Sequence, residues 1–117
     1  MQYMFLLYFD ESQTPANGSP EQAEMFQAYG AFTEGVKQSG IFRGGDPLQP
    51  TATATVVRAP DRGATVTTDG PFAESKEQLG GYYILECADL DQAVEQAAKI
   101  PTAWHGAVEV RPVMQVG

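Results

Sequence analysis

Side chains that bind metals or carry redox chemistry are scarce in this 117-residue chain, which has one cysteine and one histidine. Zinc and iron–sulfur centres need several such ligands, and the carboxylates show no EF-hand spacing, so we expect no metal and no cofactor. Cys87 cannot form an internal disulfide and lies in an apolar run, which favours an inert, buried thiol and a reducing, cytoplasmic location. The glycine pairs at 44–45 and 80–81 carry no nucleotide-binding fingerprint.

Basic residues are also scarce, because seven Lys and Arg stand against fifteen Asp and Glu, for a formal charge of -8. The basic residues are scattered without a run, and an acidic surface repels phosphate backbones and anionic lipid headgroups. The apolar N-terminal run reaches Asp10 and Glu11 too soon to cross a bilayer and lacks the basic leader of a signal peptide. We therefore expect no nucleic-acid partner and no membrane association.

Apolar periodicity divides the rest of the chain into strands and helices within one expected domain, residues 1–117. Residues 2–9 are apolar on both alternating sets, which predicts a central strand covered on both faces. Ser19 and Pro20 are typical of a helix start and Gly40 of its end, while Asp89 suits the cap of a second helix that ends at Ile100. Further strands are predicted at 81–87 and 107–113, an irregular edge strand at 41–48, and a hairpin from 51–58 and 64–68.

This order, β-α-β, a hairpin and again β-α-β, predicts an α+β fold with a ferredoxin-like antiparallel sheet and an extra β-hairpin. Both helices of that architecture lie on one face of the sheet. The other face would be bare, yet residues 3–9 and 82–85 are apolar on both sides. Because an exposed apolar sheet invites aggregation, we predict a homodimer packed sheet to sheet.

The densest group of ionisable side chains lies in residues 69–77, Asp-Gly-Pro-Phe-Ala-Glu-Ser-Lys-Glu. Gly70 and Pro71 stiffen the turn, so the Asp69 carboxylate is held in place at the end of an extended segment. One interpretation makes Asp69 a catalytic acid or base at the rim of a pocket. The alternative is structural: Asp69 accepts hydrogen bonds from the following amides, and Phe72 plugs the core.

This stretch, with Gly-Gly-Tyr-Tyr at 80–83, resembles the YCII-related family and in particular its DGPF-domain branch. The similarity runs nearly the whole length, from residues 2–4 to residues 109–113. It implies a dimeric α+β barrel but no reaction, since the family is largely uncharacterised. Some members are thought to pair an early histidine with an aspartate; this sequence has no histidine before His105, so that pair does not carry over.

Other side chains are predicted to surround a ligand near Asp69. Lys76 and Arg111 would bind an anionic group, and Glu74 would join them if residues 73–78 form a helical turn; a solvated polar turn is the alternative. Glu109 shares the charged face of the last strand with Arg111. The two would neutralise each other inside a dimer; if the strand lies at the edge of the sheet, both would instead be solvated. Apolar walls are expected from Tyr8, Phe72, Tyr82 and Tyr83.

Two functions remain open. The first is a small-molecule-binding protein or a small cofactor-free enzyme, with Asp69 as acid or base in a pocket near the dimer interface. The second follows from the resemblance, because DGPF-type proteins are often encoded beside sigma factors of the extracytoplasmic-function class. It is a non-enzymatic regulatory or scaffold protein whose acidic surface binds a basic protein partner in transcription signalling.

Overall fold

The computed structural model describes residues 1–116 and has a four-stranded antiparallel sheet as its centre. In chain order the elements are β1 (Gln2–Phe9), α1 (Pro20–Gln38), β2 (Phe42–Pro47), β3 (Thr55–Arg58), β4 (Val66–Asp69), β5 (Gln78–Glu86), α2 (Leu90–Lys99), α3 (Thr102–His105) and β6 (Ala107–Pro112). The sheet order is β2-β5-β1-β6, and β3 and β4 form a separate hairpin. The predicted ferredoxin-like topology with an added hairpin is therefore confirmed.

Both long helices begin where capping side chains predict. The Ser19 hydroxyl accepts a hydrogen bond from the Gln22 amide at 3.1 Å, and the Asp89 carboxylate accepts one from the Gln92 amide at 2.9 Å. The side chain of each glutamine also accepts a hydrogen bond from the amide one residue before the cap; for Gln22 the donor is the Gly18 amide, at 2.8 Å. These contacts satisfy N–H groups that lack partners in the first turn, so they fix both helix starts.

The core lies between the helices and one face of the sheet. On that face, Tyr3, Phe5 and Leu7 of β1 and Tyr83 and Leu85 of β5 are buried. They form one cluster with residues from both helices and the following segment, namely Phe32, Val36, Ala93, Ala97 and Ile100. Cys87 joins this cluster as predicted, and burial is the main cause that raises the pKa of its thiol.

The opposite side of the sheet, called here the open face, carries the alternate residues of the same strands. Met4 pairs with Ile84 and Arg111, and Leu6 pairs with Tyr82 and Glu109. In the single chain the apolar members of these rows are only partly buried, and both charged members are exposed. The sequence pattern that is apolar on both sides thus corresponds to one covered and one open face.

The β3–β4 hairpin, residues 55–69 and called here the arm, stands apart from the sheet. Val57 and Val66 are 60% and 50% exposed. The radius of gyration is 16.2 Å, whereas a compact domain of this length has one of about 13 Å. At the base of the arm, the Glu11 carboxylate accepts a hydrogen bond from the Thr51 amide at 3.2 Å.

Several element boundaries differ from the predictions. Residues 51–53 form a 3-10 turn instead of strand, β4 begins at Val66, and β5 begins at Gln78, three residues before the predicted start at 81. The short helix α3 was not predicted, since four residues after a proline give no periodicity. Residues 73–77 form bends rather than the helical turn considered above, so Glu74 and Glu77 do not share a helix face. No helix in residues 1–116 is long and apolar enough to span a membrane.

Candidate functional site

A cleft of about 800 Å³ opens between α1 and the end of the sheet and is called here the main cleft. The buried residues of α1, Phe32 and Val36, lie in its C-terminal half. Met25 and Phe26 before them line the cleft, and so does Tyr29, which also packs against the core cluster. The side chain of Phe26 is 60% exposed, so an apolar helix surface faces open space.

Glycines form the floor of the main cleft on the sheet side. Gly81 lies between Leu7 of β1 and Pro47 of β2 in the strand register. A Cβ atom at Gly81 would lie 3.2 Å from the Asp46 carbonyl oxygen and 3.5 Å from Leu7 Cδ1. The ring of Phe9 covers Gly80 so closely that a Cβ atom there would require the ring to move. The glycines therefore let neighbouring groups approach the sheet closely at the floor of the cleft.

Hydroxyl groups line the inner wall of the main cleft. The hydroxyls of Thr33 and Tyr83 are 2.7 Å apart, and the Tyr29 hydroxyl is hydrogen-bonded to that of the fully buried Thr102. Burial is the main cause that raises the pKa of both tyrosines, so both phenols stay protonated at neutral pH. The wall therefore offers neutral hydrogen-bonding groups among apolar side chains.

Asp10 and His105 lie at the mouth of the main cleft. Asp10 follows β1 directly, and its carboxylate accepts hydrogen bonds from the Ser12 hydroxyl at 2.6 Å and the Ser12 amide at 2.9 Å. These bonds lower the pKa of Asp10, and the positive charge of Lys76 lowers it further. The ring of His105 stands edge-on to Phe9, with 6.4 Å between the ring centroids. The mouth thus combines an ionised carboxylate with an imidazole.

A second, smaller cleft of about 680 Å³, called here the side cleft, adjoins the first. Asp10, Gln13 and His105 line both clefts. The side cleft adds Tyr8, Ala107 and residues 75–77. The predicted ligand residue Lys76 therefore lies beside the mouth of the main cleft, across from Asp10.

Asp69 and Phe72 lie outside both clefts. Asp69 ends β4 in the arm and is exposed. Phe72 is 76% exposed, and the guanidinium of Arg58 lies 5.3 Å from its ring centroid. The structural alternative in which Phe72 plugs the core is therefore wrong. Glu74 is exposed in the same loop and lines neither cleft.

The remaining predicted residues differ in whether they reach the main cleft. Tyr82 belongs to the open face but also lines the main cleft, and its hydroxyl donates to the Asp46 carboxylate at 3.0 Å, which raises the pKa of Tyr82. Arg111 lies on the open face and lines neither cleft. Its neighbour Glu109 accepts a hydrogen bond from Tyr8 at 3.4 Å, and within residues 1–116 it forms no ion pair with Arg111.

Asp10 and His105 were not selected as site residues from the sequence, although the strand order carries the signal. In an antiparallel pair the end of one strand adjoins the start of the next, and Tyr8 of β1 pairs with Ala107 of β6. Asp10 follows that strand end and His105 precedes that strand start. Among the residues that the structure describes, no group of three or more His, Cys, Asp or Glu side chains is placed to hold a metal ion.

Three comparisons relate the chain to known proteins. A family model described as YCII-related domain matches residues 1–116. An uncharacterized protein of Rhizobium meliloti (strain 1021) is 37% identical over 115 residues, which cover 97% of this chain and 92% of that protein. A solved structure of 5-chloro-2-hydroxyhydroquinone dehydrochlorinase from Burkholderia phenoliruptrix AC1100, in complex with 2,5-dihydroxybenzoquinone, is similar in fold. It has a TM-score of 0.53 and 16% identity, over 99% of this chain and 96% of that one.

Proposed function

The chain belongs to the YCII-related family, and from that premise we propose that it binds a small organic molecule in the main cleft and acts on it as a cofactor-free acid/base enzyme. The observation that carries the proposal is the cleft itself. It has a glycine floor, apolar side chains on the helix wall and hydroxyls inside, and its lining also includes carboxylates and His105. Small-molecule sites combine a concave apolar lining with a few placed polar groups in this way.

The volume of the main cleft suits a ring-sized molecule. A cleft of about 800 Å³ falls within the usual range of small-ligand pockets, roughly 300–1,000 Å³. The structure with a similar fold is a dehydrochlorinase in complex with 2,5-dihydroxybenzoquinone, a small ring compound. That likeness is one of fold, and it supports the size of the ligand rather than its identity.

Asp10 and His105 are the proposed acid/base pair at the cleft mouth. The lowered pKa of Asp10 keeps its carboxylate ionised, so its role in the pair would be to stabilise positive charge on the imidazole. The imidazole of His105 would itself accept or donate the proton. The inner hydroxyls of Thr33 and Tyr83 would orient the ligand by hydrogen bonds.

Asp69 remains a second proposed acid or base, with Lys76, Phe72, Glu74, Tyr82 and Arg111 as the ligand-binding residues proposed with it. Since Asp69 lies in the arm and outside the clefts of its own chain, this role requires that the arm of one copy reach the cleft of another. We also propose a homodimer packed through the open face, because partly exposed apolar side chains lie across the centre of that face.

A thermal-shift screen of a metabolite library on the wild type tests the proposal, because a ligand that binds only the folded state raises the melting temperature. Each hit is then incubated with wild type, Asp10→Asn, His105→Gln and Asp69→Asn, and turnover is followed by mass spectrometry. We expect Asp10→Asn and His105→Gln to lower turnover about a hundredfold or more while binding persists. Turnover lost in Asp69→Asn alone would move the acid/base role to the arm.

One observation favours the non-enzymatic alternative. The arm presents Val57 and Val66 to solvent, and the loop after it presents Phe72; exposed apolar groups of this kind often mark a protein-binding surface. A library without hits, together with a basic protein partner whose binding is lost in Phe72→Ser, would favour the regulatory or scaffold function.

A further inference from the structure

We propose that the ligand of the main cleft is an organic cation, an amine carried on an apolar or aromatic body. This inference rests on the proposed function, because it specifies the chemical class of the molecule that occupies the same cleft. It is carried by the charges and by the aromatic rings around the cleft.

The charged side chains around the main cleft are acidic. Its lining contains four carboxylate residues and one histidine but no lysine or arginine; the carboxylates belong to Asp10, Glu21, Glu24 and Asp46. Glu21 and Glu24 form no ion pair among residues 1–116. Lys76 in the side cleft offsets part of the charge of Asp10, which leaves the helix side of the cleft negative.

The overall charge of the chain acts in the same direction. A formal charge of -8 raises the local concentration of cations at the surface and lowers that of anions. A cleft with low-dielectric walls focuses this field, so the effect is strongest where the apolar walls exclude water. An anionic ligand would enter the main cleft without any basic side chain to bind it.

Aromatic rings give the second, independent argument. The lining includes six aromatic residues: Phe9, Phe26, Tyr29, Tyr82, Tyr83 and Trp104. The faces of such rings attract ammonium groups, most strongly where the contact is shielded from water. Phe26 is 60% and Trp104 is 66% exposed, so both rings are open to contact by a ligand. The carboxylates would supply the charge, and the rings and the glycine floor would hold the apolar body.

The effect of ligand charge on affinity can be measured with three ligands of nearly equal size that are positive, neutral and negative: 2-phenylethylamine, 2-phenylethanol and 3-phenylpropionate. Calorimetric titration at low salt should give an affinity that falls from the amine to the alcohol to the acid, with about a tenfold difference between amine and alcohol. High salt should reduce the difference in affinity between the amine and the alcohol, since screening weakens charge–charge attraction. Equal binding of amine and alcohol, or tighter binding of the acid, overturns the inference and leaves the cleft a ligand site.

Variants test whether the carboxylates of the main cleft cause the preference for the amine. Glu21→Gln with Glu24→Gln should lower the affinity for 2-phenylethylamine about fivefold and leave that for 2-phenylethanol unchanged. Glu95→Gln, which removes one exposed carboxylate from α2 outside both clefts, is the control and should change neither affinity. If Glu95→Gln lowers the affinity for 2-phenylethylamine as much per carboxylate as the double variant does, the net charge alone attracts the amine. That result would contradict a site in the main cleft. Binding of none of the three ligands, together with a library that gives no hit, counts against the proposed function itself.

Discussion

At the scale of single residues, the inner wall of the main cleft depends on hydroxyl pairs that are buried with their partners. Thr102 is fully buried, and its hydroxyl is bonded to that of Tyr29, which joins α3 to α1 across the end of the cleft. The pair holds the cleft wall in place, because α1 otherwise packs into the core only through its C-terminal half. Hydrogen bonds of this kind are worth little net, but leaving one partner buried and unpaired is costly.

Replacing both members of that pair should therefore lower the free energy of unfolding by less than the sum of the two single replacements. We expect Thr102→Val to lower the free energy of unfolding by about 1–3 kcal/mol, because the Tyr29 hydroxyl loses its partner. The double variant Tyr29→Phe with Thr102→Val should lie closer to wild type than the sum of the two single changes. Urea unfolding of all four proteins measures the coupling. Strict additivity of the two changes would show that the hydroxyls do not interact.

Capping residues and Cys87 were predicted correctly at this scale because their signals are local. Ser19 and Asp89 cap the helices that follow them, and Cys87 is buried in the strand-like run where the sequence placed it. Phe72 illustrates the opposite case. An apolar residue after a turn is typical of a core plug, and nothing local indicates that its loop leaves the core and places the ring under Arg58.

At the scale of elements, the arm is the part of the chain with the least tertiary support. Two strands alone are marginally stable in water, and these carry exposed valines instead of a shared core. The Gly70 amide donates to the Ala54 carbonyl at 2.7 Å, so the two ends of the arm lie side by side. The Glu11 carboxylate fixes the preceding segment at Thr51.

Removing the arm should therefore leave the sheet and helices intact. We expect replacement of residues 55–69 by a two-residue Gly-Ser linker to change the melting temperature by a few degrees at most, since no core residue is lost. The control is a change within the core, Leu85→Ala. It should lower the free energy of unfolding by about 2–5 kcal/mol because Leu85 is fully buried. Thermal unfolding followed by circular dichroism compares the three proteins. Loss of the cooperative transition in the arm deletion would contradict the description of the arm as separate from the core.

The site was less predictable than the elements that form it. Strand and helix periodicity predicted the topology. The site was predicted at Asp69, where ionisable residues are dense, but the arm carries Asp69 away from both clefts. Asp10 and His105 are far apart in the chain and line the same clefts because β1 and β6 are neighbours. A sequence predicts such a site only after the strand order is known, because the strand order determines which loop residues lie at the same edge of the sheet.

At the scale of the whole molecule, the open face is the side of the sheet that no helix of residues 1–116 covers. Met4, Leu6, Tyr82 and Ile84 form its centre and are partly buried by their neighbours alone. The proposed homodimer would cover these residues and would place the exposed Glu109 and Arg111 at or near the interface. A lone charge buried there would be costly, whereas a pair of opposite charges offsets the cost.

A charge in the centre of the open face should prevent that dimer. We expect the wild type to elute as a dimer in size-exclusion chromatography with light scattering, and Leu6→Lys to elute as a monomer, because the new ammonium would be buried without a partner. Val94→Lys is the control, since Val94 is 54% exposed on α2 and lies away from the open face. A monomeric wild type, or a Leu6→Lys protein that stays dimeric, would contradict the proposed interface.

A ligand site between α1 and the sheet is tested most sharply by the affinity of a library hit for two variants of α1, Ala28→Phe and Ala23→Phe. Ala28 lines the main cleft, whereas Ala23 is exposed on the same helix and does not. We expect Ala28→Phe to weaken binding at least about tenfold, because the added ring fills the cleft, and Ala23→Phe to bind as the wild type does. Equal affinity of the two variants, with both melting like the wild type, would contradict a ligand site between α1 and the sheet.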